Sequence, residues 1–292
     1  MKIAFGIIVF NGDFVLQQVL ETIYPFANQI LVSEGPVGYW KSKGFTTSTD
    51  RTNQILSEFK DPQNKIRIVH GQFNEKDDQC NAYIKFLNSD NDYIWNIDCD
   101  EIFKPSDIET IIGLIEKEKY TSVGFKSLSF FGGFDNYLTG FEENAEFIRI
   151  RKVYPGSVWL THRPPTIKHK EGIITLPEKH LDFNELANKY KIRMYHYSYV
   201  FPRQVADKIG YYSSFNAGII SNYLNEVFFK WIKGNEEVRK EIEDRFDGVH
   251  EWLPYRRGSC RTKRFEGVHP EIIIRDMDKL KEILDNQLRT YL

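Results

Sequence analysis

Cysteine is scarce in this sequence, and its placement excludes two kinds of site. The three cysteines, Cys80, Cys99 and Cys260, are odd in number and widely spaced. They therefore match neither a disulfide framework nor the paired spacing of a structural zinc site. A reducing compartment is the simplest setting for such a chain, so we expect a cytoplasmic protein.

Charge of one sign and long apolar runs are also missing. Lys and Arg number 39 against 41 Asp and Glu, whereas a general nucleic-acid binder needs a basic excess to displace counterions. No segment is long and apolar enough to be a transmembrane helix, although peripheral contact with a membrane stays open. The apolar opening, 2–10, runs into Asn11, Gly12 and Asp13 without a small-residue cleavage site, which favours a buried strand over a signal peptide.

The sequence does contain ample apolar material in an alternating order. Hydrophobic residues make up 41% of the 292 residues and aromatic residues 15%, which is enough for a packed core. Predicted strands alternate with helices, as in βαβ units, and this predicts an α/β fold with a mostly parallel sheet flanked by helices. The predicted strands are 2–10, 29–35, 65–70, 92–98 and 122–131. The predicted helices lie at 13–24, at 75–88 and after a capping-box pattern of Ser106 with Glu109. A further helix follows a cap at 48–51 and carries Ile55, Leu56 and Phe59 on one face.

The second half of the chain has a different character. Residues 132–200 are rich in Gly, Pro and aromatic residues, with short strand-like runs such as 146–153. Helical periodicity then returns, and it predicts helices at 202–216, 223–232, 235–246 and 276–291. We therefore predict one α/β domain over 1–215 and a helical C-terminal region, 216–292, packed on it.

Polar residues collect where the predicted strands end. The first strand ends at Asn11, the second at Glu34, the third at His70 and the fourth at Asp98-Cys99-Asp100-Glu101. Open α/β sheets bind ligands outside the carboxyl ends of their strands. This edge of the sheet is therefore the predicted functional site.

Asp98 and Asp100 are the sharpest signal at that edge. In an extended chain, residues two apart project to the same side, so both carboxylates can reach one ligand while Cys99 turns into the sheet. Mg²⁺ is held by one or two carboxylates together with substrate phosphates. The pair predicts a divalent-cation site, although Asp-X-Asp also occurs at solvated strand ends.

Several segments, in their order along the chain, resemble the family-2-like glycosyltransferases of the GT-A fold. IIVFNGDFVLQQVLETI is similar to that family's first strand, polar turn and helix, and ILVSEG to its second strand. SerThrAspArgThr (48–52) resembles an "STD-G-T" stretch, with Arg51 where Gly is common. NEKDDQCNAYI, IWNIDCDEIF and MYHYSYVFPRQVADKIGYY resemble, in turn, a nucleotide-facing helix, the metal-binding segment and a downstream segment with a metal-binding His.

The resemblance implies a function and a set of site residues. The function is transfer of a sugar from a nucleoside diphosphate sugar, with a UDP-sugar favoured, to a glycan, lipid-linked or protein acceptor, in glycan or cell-surface polysaccharide synthesis. The nucleotide-sugar half would cover about 1–120 and the acceptor half about 121–215. A Mn²⁺ or Mg²⁺ cofactor would be bound by Asp98, Asp100 and His196. The implied nucleotide-sugar contacts are Asn11, Glu34, Asp50, Asn81, Asp98 and Lys208.

Two departures from the family pattern concern the loops. The loop between Glu34 and Ser48 is longer than usual. Many relatives carry His-Glu after an arginine-rich strand, whereas here His162 precedes Arg163, so the expected catalytic carboxylate is absent. An inverting transfer needs a general base near the acceptor hydroxyl, and a retaining transfer needs none. The candidate bases are Asp135, Glu142, Glu143 and His162.

Other functions and one basic segment stay open. The alternatives are a Mg²⁺-dependent nucleotidyl or phosphoryl transferase and a non-catalytic sugar-nucleotide binder. A dinucleotide dehydrogenase is disfavoured because no G-x-G-x-x-G follows the first strand.

The basic run is either a solvated loop or a lid over an anionic diphosphate or acidic acceptor. It comprises Arg256, Arg257, Arg261, Lys263 and Arg264.

Overall fold

The computed structural model describes residues 1–154, 156–162, 165–168, 179–214 and 218–291. The strands are β1 (Ile3–Val9), β2 (Gln29–Glu34), β3 (Ile66–His70), β4 (Tyr93–Asp98), β5 (Glu101–Ile102), β6 (Ser122–Phe125), β7 (Ser127–Phe131), β8 (Asn136–Leu138), β9 (Phe147–Lys152), β10 (Val158–His162), β11 (Pro165–Lys168), β12 (His180–Leu181), β13 (Met194–Tyr199) and β14 (Thr262–Arg264).

The α-helices are α1 (Leu16–Ile23), α2 (Gly38–Ser42), α3 (Thr52–Glu58), α4 (Lys76–Ile84), α5 (Pro105–Glu118), α6 (Phe141–Asn144), α7 (Phe183–Glu185), α8 (Pro202–Ser213), α9 (Phe229–Lys233), α10 (Glu236–Phe246), α11 (Pro254–Arg257), α12 (Glu271–Arg275) and α13 (Met277–Tyr291). There are also two π-helical segments: Leu186–Tyr190 follows α7, and Leu224–Phe228 precedes α9.

The chain divides into two compact units, and the first carries a seven-stranded sheet. This first unit comprises Met1–Phe125 and Glu146–Arg193. Its strand order is β12–β6–β9–β4–β1–β2–β3. β9 runs antiparallel to β4 and β6, and the other neighbouring strands are parallel. β10 and β11 form a separate antiparallel pair.

The register of the central strands brings their carboxyl ends to one level. Val9 lies opposite Glu34, Glu34 opposite His70, and Ile8 opposite Asp98. β1 and β2 are buried along their whole length, as expected for parallel strands that are covered on both faces. The polar strand ends found in the sequence therefore lie together along the carboxyl-terminal edge of this sheet.

The second unit comprises Lys126–Ala145 and Met194–Leu292. Its strands are hydrogen-bonded in the order β14–β8–β7–β13, with β13 parallel to β7 and β8 antiparallel to both of its neighbours. Helical residues cover this sheet: the Phe131 ring on β7 meets Trp231 at 5.1 Å and Phe228 at 5.6 Å between ring centroids. Edge-to-face contacts of this kind add to the free energy of burying the rings.

The structure confirms the predicted α/β class, the parallel-rich sheet and a helical C-terminal region, but two local predictions were wrong. α5 begins at Pro105, with Lys104 as an N-cap residue that makes no side-chain cap bond. The helix therefore begins with a proline, whose fixed φ suits the first helical turn, and Ser106 is not its cap. The predicted strand 122–131 is interrupted at Lys126, and its two pieces, β6 and β7, belong to different units.

The predicted boundary at residue 215 lies outside the described residues, which stop at 214 and resume at 218. The division into 1–215 and 216–292 therefore stays a prediction. Among the described residues, no helix combines the length and the hydropathy needed to cross a membrane.

Candidate active site

The turn after β1 is fastened to the segment that opens α3. Asn11 has a φ of 50°, a left-handed conformation that asparagine tolerates better than most residues. Its backbone N–H donates to Ser48 Oγ at 2.9 Å, and its side-chain oxygen accepts from the Thr49 N–H at 2.8 Å. The backbone N–H of Gly12 donates to Thr52 Oγ1 at 2.9 Å.

Asp50 completes this connection. Its carboxylate accepts from the Asp13 N–H at 3.2 Å and from the Thr52 N–H at 2.9 Å. The predicted nucleotide contacts Asn11 and Asp50 therefore lie in one hydrogen-bonded loop cluster. Both side chains hold backbone groups, which is what a rigid ligand-binding edge requires.

Glu34, the predicted nucleoside contact, is fully buried at the end of β2. Its carboxylate accepts from the Ser48 N–H at 2.7 Å and from the Thr47 hydroxyl at 3.0 Å, and it lies 2.9 Å from His70 Nδ1. In this structure Glu34 fixes the start of the 47–52 segment against β3. The end of the long loop that follows β2 is therefore hydrogen-bonded to the Glu34 carboxylate.

The turn after β4 carries a cluster of charged side chains. The Glu101 carboxylate accepts from the Asp98 N–H at 3.0 Å and from Arg149 Nε at 2.9 Å. Arg149 Nη2 also contacts Glu101 Oε1, and it donates to Asp98 Oδ2 at 3.0 Å. Arg149 is 6% exposed, and Glu101 is not exposed at all.

The shape of this turn differs from the extended chain that was predicted. β4 ends at Asp98, and residues 99 and 100 form a turn. The side-chain alternation of an extended strand therefore does not determine the directions of the Asp98 and Asp100 side chains. Burial raises the pKa of the Cys99 thiol well above its ordinary value, and the charges of Asp100, Asp98 and Asp50 raise it further. Asp98, Asp100 and Asp50 therefore lie near the same thiol at the sheet edge.

Asn81 and His162 lie beside β10. The Asn81 amide donates to the Trp159 carbonyl at 2.7 Å and accepts from the Trp159 N–H at 2.8 Å. His162 is buried, and its Nδ1 lies 3.8 Å from Cys80 Sγ. Asn81, predicted to face the nucleotide, thus fixes β10 to α4. His162, a candidate base, lies in the same wall of the first unit.

The second unit contains the predicted metal ligand His196 in a buried polar network. Ser129 Oγ donates to Glu142 Oε1 at 3.1 Å and lies 3.4 Å from His196 Nδ1. If Ser129 donates to the carboxylate, His196 Nδ1 is the donor to Ser129. Nε2 then carries the lone pair in the neutral ring, which is the form that binds a metal ion.

Glu142 is the charged centre of that network. Arg257 Nη2 donates to Glu142 Oε2 at 2.9 Å, and His250 Nε2 lies 3.9 Å from the same oxygen. Burial acts to raise the pKa of Glu142, but the positive charge of Arg257, followed by the basic groups His250, His196 and Lys208, outweighs it and lowers the pKa below its ordinary value. A strongly held carboxylate of this kind is a poor general base.

Tyr199 joins two further buried groups to the network. Its hydroxyl donates to Glu251 Oε2 at 2.7 Å and lies 3.0 Å from His250 Nε2. Lys208 contacts Ser198 Oγ and lies 4.0 Å from the Tyr199 ring centroid. Sequence reasoning missed His250 and Glu251, because the residues around them show no periodic pattern.

The remaining candidate bases and the basic run have mixed surroundings. Asp135 is exposed, and Glu143 on α6 is partly exposed. Within the basic run, Arg257 is ion-paired with Glu142, whereas Arg261 pairs with Asp244 at 2.8 Å on the surface. The run is therefore neither wholly solvated nor a single functional element.

The donor chemistry at the end of β4 fits a divalent cation. Carboxylate oxygens are the ligands that Mg²⁺ and Mn²⁺ prefer, and Asp98 and Asp100 lie in one tight turn. Within the part of the chain that is described, no group of three or more His, Cys, Asp or Glu side chains is arranged to hold a metal ion. The set of Asp98 and Asp100 from the first unit with His196 from the second therefore stays a prediction.

The chain belongs to glycosyl transferase family 2, whose model matches residues 46–227. The resemblance inferred from the sequence is thereby confirmed. The matched range contains the Asp98–Glu101 turn, Arg149 and His196, but neither β1 nor β2. A search of curated protein sequences found no match.

Solved structures give partial likenesses. TarS 1-349 of S. aureus in complex with UDP-GlcNAc has 16% identity and a TM-score of 0.33, covering 44% of this chain and 35% of that one. Glucosyl-3-phosphoglycerate synthase from Mycobacterium tuberculosis, in complex with Mg²⁺ and UDP, has 18% identity and a TM-score of 0.32, covering 43% of each chain. The matches thus span less than half the length of both proteins.

Proposed function

We propose that the chain is a metal-dependent glycosyltransferase that transfers a sugar from a nucleoside diphosphate sugar to an acceptor hydroxyl. The observation that carries the proposal is the Asp98–Glu101 turn at the carboxyl end of β4, level with the ends of β1, β2 and β3, in a family 2 chain. UDP is the favoured nucleotide. A glycan, lipid-linked or protein acceptor and a cytoplasmic location, free or peripheral to the membrane, complete the proposal.

The residues of the first unit would seat the nucleotide and the cation. Asn11, Asp50 and Glu34 hold the loop edge rigid, and Asp98 and Asp100 would hold Mn²⁺ or Mg²⁺. A bound cation supplies neutralisation of the charge that develops on the leaving diphosphate. Because the edge is held by hydrogen bonds between side chains and backbone N–H groups, little ordering remains to be done when the nucleotide binds.

The remaining predicted residues would complete the metal site and act on the acceptor. His196 would complete the metal site through Nε2, and Lys208 would reach a phosphate or the acceptor. Asp135, Glu143 and His162 remain the proposed bases for an inverting transfer. Asp135 and Glu143 have the solvent access that an incoming hydroxyl requires, whereas His162 is buried.

The test is nucleotide release by an Asp100→Asn variant. We expect Mn²⁺-dependent release of UDP from UDP-sugars in the wild type, and a loss of about 100-fold or more without a cation ligand. Asp285→Asn on α13 removes an exposed carboxylate and serves as the matched control.

Three results would count against the proposal. Undiminished UDP release by Asp100→Asn would remove the metal assignment. Release of pyrophosphate or inorganic phosphate in place of UDP would indicate a nucleotidyl or phosphoryl transferase, and nucleotide binding without turnover would indicate a non-catalytic binder.

A further inference from the structure

Arg149 is a buried arginine beside the Asp98–Glu101 turn, and it was not among the predicted site residues. It lies in β9, which pairs antiparallel with β4. Its guanidinium spans two carboxylates of the Asp98–Glu101 turn, through Nε and Nη2 to Glu101 and through Nη2 to Asp98 at 3.0 Å. The alternation of apolar and basic residues in IRIRK (148–152) is the sequence signal that accompanies it.

The turn needs such a partner for an electrostatic reason. Asp98, Asp100 and Glu101 place three negative charges within four residues, and like charges this close repel one another. Glu101 is fully buried, and a buried carboxylate is stable only when a counter-charge and hydrogen bonds replace its water. Arg149 supplies both, since its planar fork binds the carboxylate through two nitrogens.

The contacts also fix Asp98 from two directions. Its backbone N–H donates to Glu101 Oε2 at 3.0 Å, and its side-chain oxygen accepts from Arg149. Neither the backbone nor the side chain of Asp98 can then rotate without breaking a partly buried hydrogen bond to a charged group. Asp100 follows two residues later in the same turn, so its backbone is constrained as well.

We propose that Arg149 is a positioning residue for the metal site: with Glu101 it holds the Asp98–Glu101 turn in the conformation that presents Asp100 to a divalent cation. This inference rests on the proposed function. Partners that orient a metal ligand from behind typically change metal affinity by about 10–100-fold when removed. Arg149 thus lowers the ordering cost of cation binding while itself carrying a positive charge.

The experiment measures Mn²⁺ affinity of the full chain by electron paramagnetic resonance, with and without UDP, alongside thermal unfolding. The principal variant is Arg149→Met with Glu101→Gln, which removes both charges of the buried pair together, so no buried ion is left unpaired. Arg149→Lys keeps the charge and loses the two-nitrogen geometry. Lys152→Met, which removes a different cation from β9, is the matched control.

We expect the double variant to stay folded and to bind Mn²⁺ about 10-fold or more weakly, with Arg149→Lys in between and Lys152→Met unchanged. If the double variant unfolds, the same comparison is made with Arg149→Lys alone. Wild-type Mn²⁺ affinity in a folded Arg149 variant, together with weak binding by Asp100→Asn, overturns this inference and leaves the proposed function standing. Wild-type affinity in Asp100→Asn overturns the metal assignment and this inference with it.

Discussion

At the residue scale, the acidic side chains that drew attention in the sequence divide into two kinds. Glu34 and Glu142 are buried and accept hydrogen bonds from neighbouring protein groups. Asp98 and Asp100 are partly exposed in a turn. Burial separates the two kinds, because a buried carboxylate must be satisfied within the protein whereas a partly exposed one can exchange water for a ligand.

Glu142 gives a pH-dependent prediction. Its pKa in the folded chain lies below the ordinary value of 4.5, so the ionised form stabilises the folded state. That contribution is complete above the ordinary pKa and is lost as pH falls through the lower folded pKa. Glu142→Gln should therefore unfold more easily by about 2 kcal/mol at pH 7, and the difference should shrink at pH 4.

Urea unfolding of the wild type and of Glu142→Gln at pH 7 and pH 4 measures this difference in the free energy of unfolding. Glu237→Gln, which changes an exposed carboxylate at the start of α10, is the control and should show little effect at either pH. A wild-type advantage that is constant or larger at pH 4 would contradict the assignment of Glu142 as an ionised, charge-stabilised group.

At the element scale, the strands and helices of the first unit were largely predictable, and the turns between them were not. Hydrophobic runs located β1 and β2 to within one residue, because central parallel strands are buried on both faces and need apolar residues throughout. The break at Lys126 and the turn at Cys99 depend on contacts between segments distant in sequence. Arg149 was missed for the same reason, since its partners lie about 50 residues earlier.

Gly12 shows how tightly two of these turns approach. A Cβ at this position would lie 2.7 Å from Cys99 Sγ and 2.7 Å from Val9 Cγ2, which is closer than real side-chain atoms come. Gly12→Ala should therefore push the β1 turn away from the Asp98–Glu101 turn and destabilise the chain by roughly 1–3 kcal/mol. We also expect weaker Mn²⁺ binding, because the second turn carries Asp100.

The matched control is Gly113→Ala in α5, where an added Cβ meets nothing within 4 Å. Removing a glycine from an exposed helix interior should stabilise the chain by about 0.5–1 kcal/mol and leave Mn²⁺ binding unchanged. Thermal unfolding of the two variants should thus shift in opposite directions, and equal shifts would show that the close approach at Gly12 does not matter.

At the scale of the whole molecule, the segment matched by the family model and the second compact unit end at different residues. The family model ends at residue 227, yet the core of the second unit continues past that point. Phe131, Leu138 and Val205 share one buried cluster with later residues. Those later residues are Phe228, Phe229, Trp231, Ile242 and Val249. The region beyond the match is therefore part of the structural core of the second unit.

A chain that ends at residue 227 should fail to fold its second unit. Each large apolar side chain contributes roughly 1.5–3 kcal/mol when it is buried, so losing several of them exceeds the usual net stability of about 5–15 kcal/mol. Hydrogen–deuterium exchange should show β7 and β13 unprotected in 1–227, and Trp231→Ala in the full chain should reduce their protection partially. Ile274→Ala, which truncates a side chain that is 49% exposed on α12, is the control and should leave protection as in the wild type. Full protection of β7 and β13 in 1–227 would mean that the matched segment folds without the residues that complete its core.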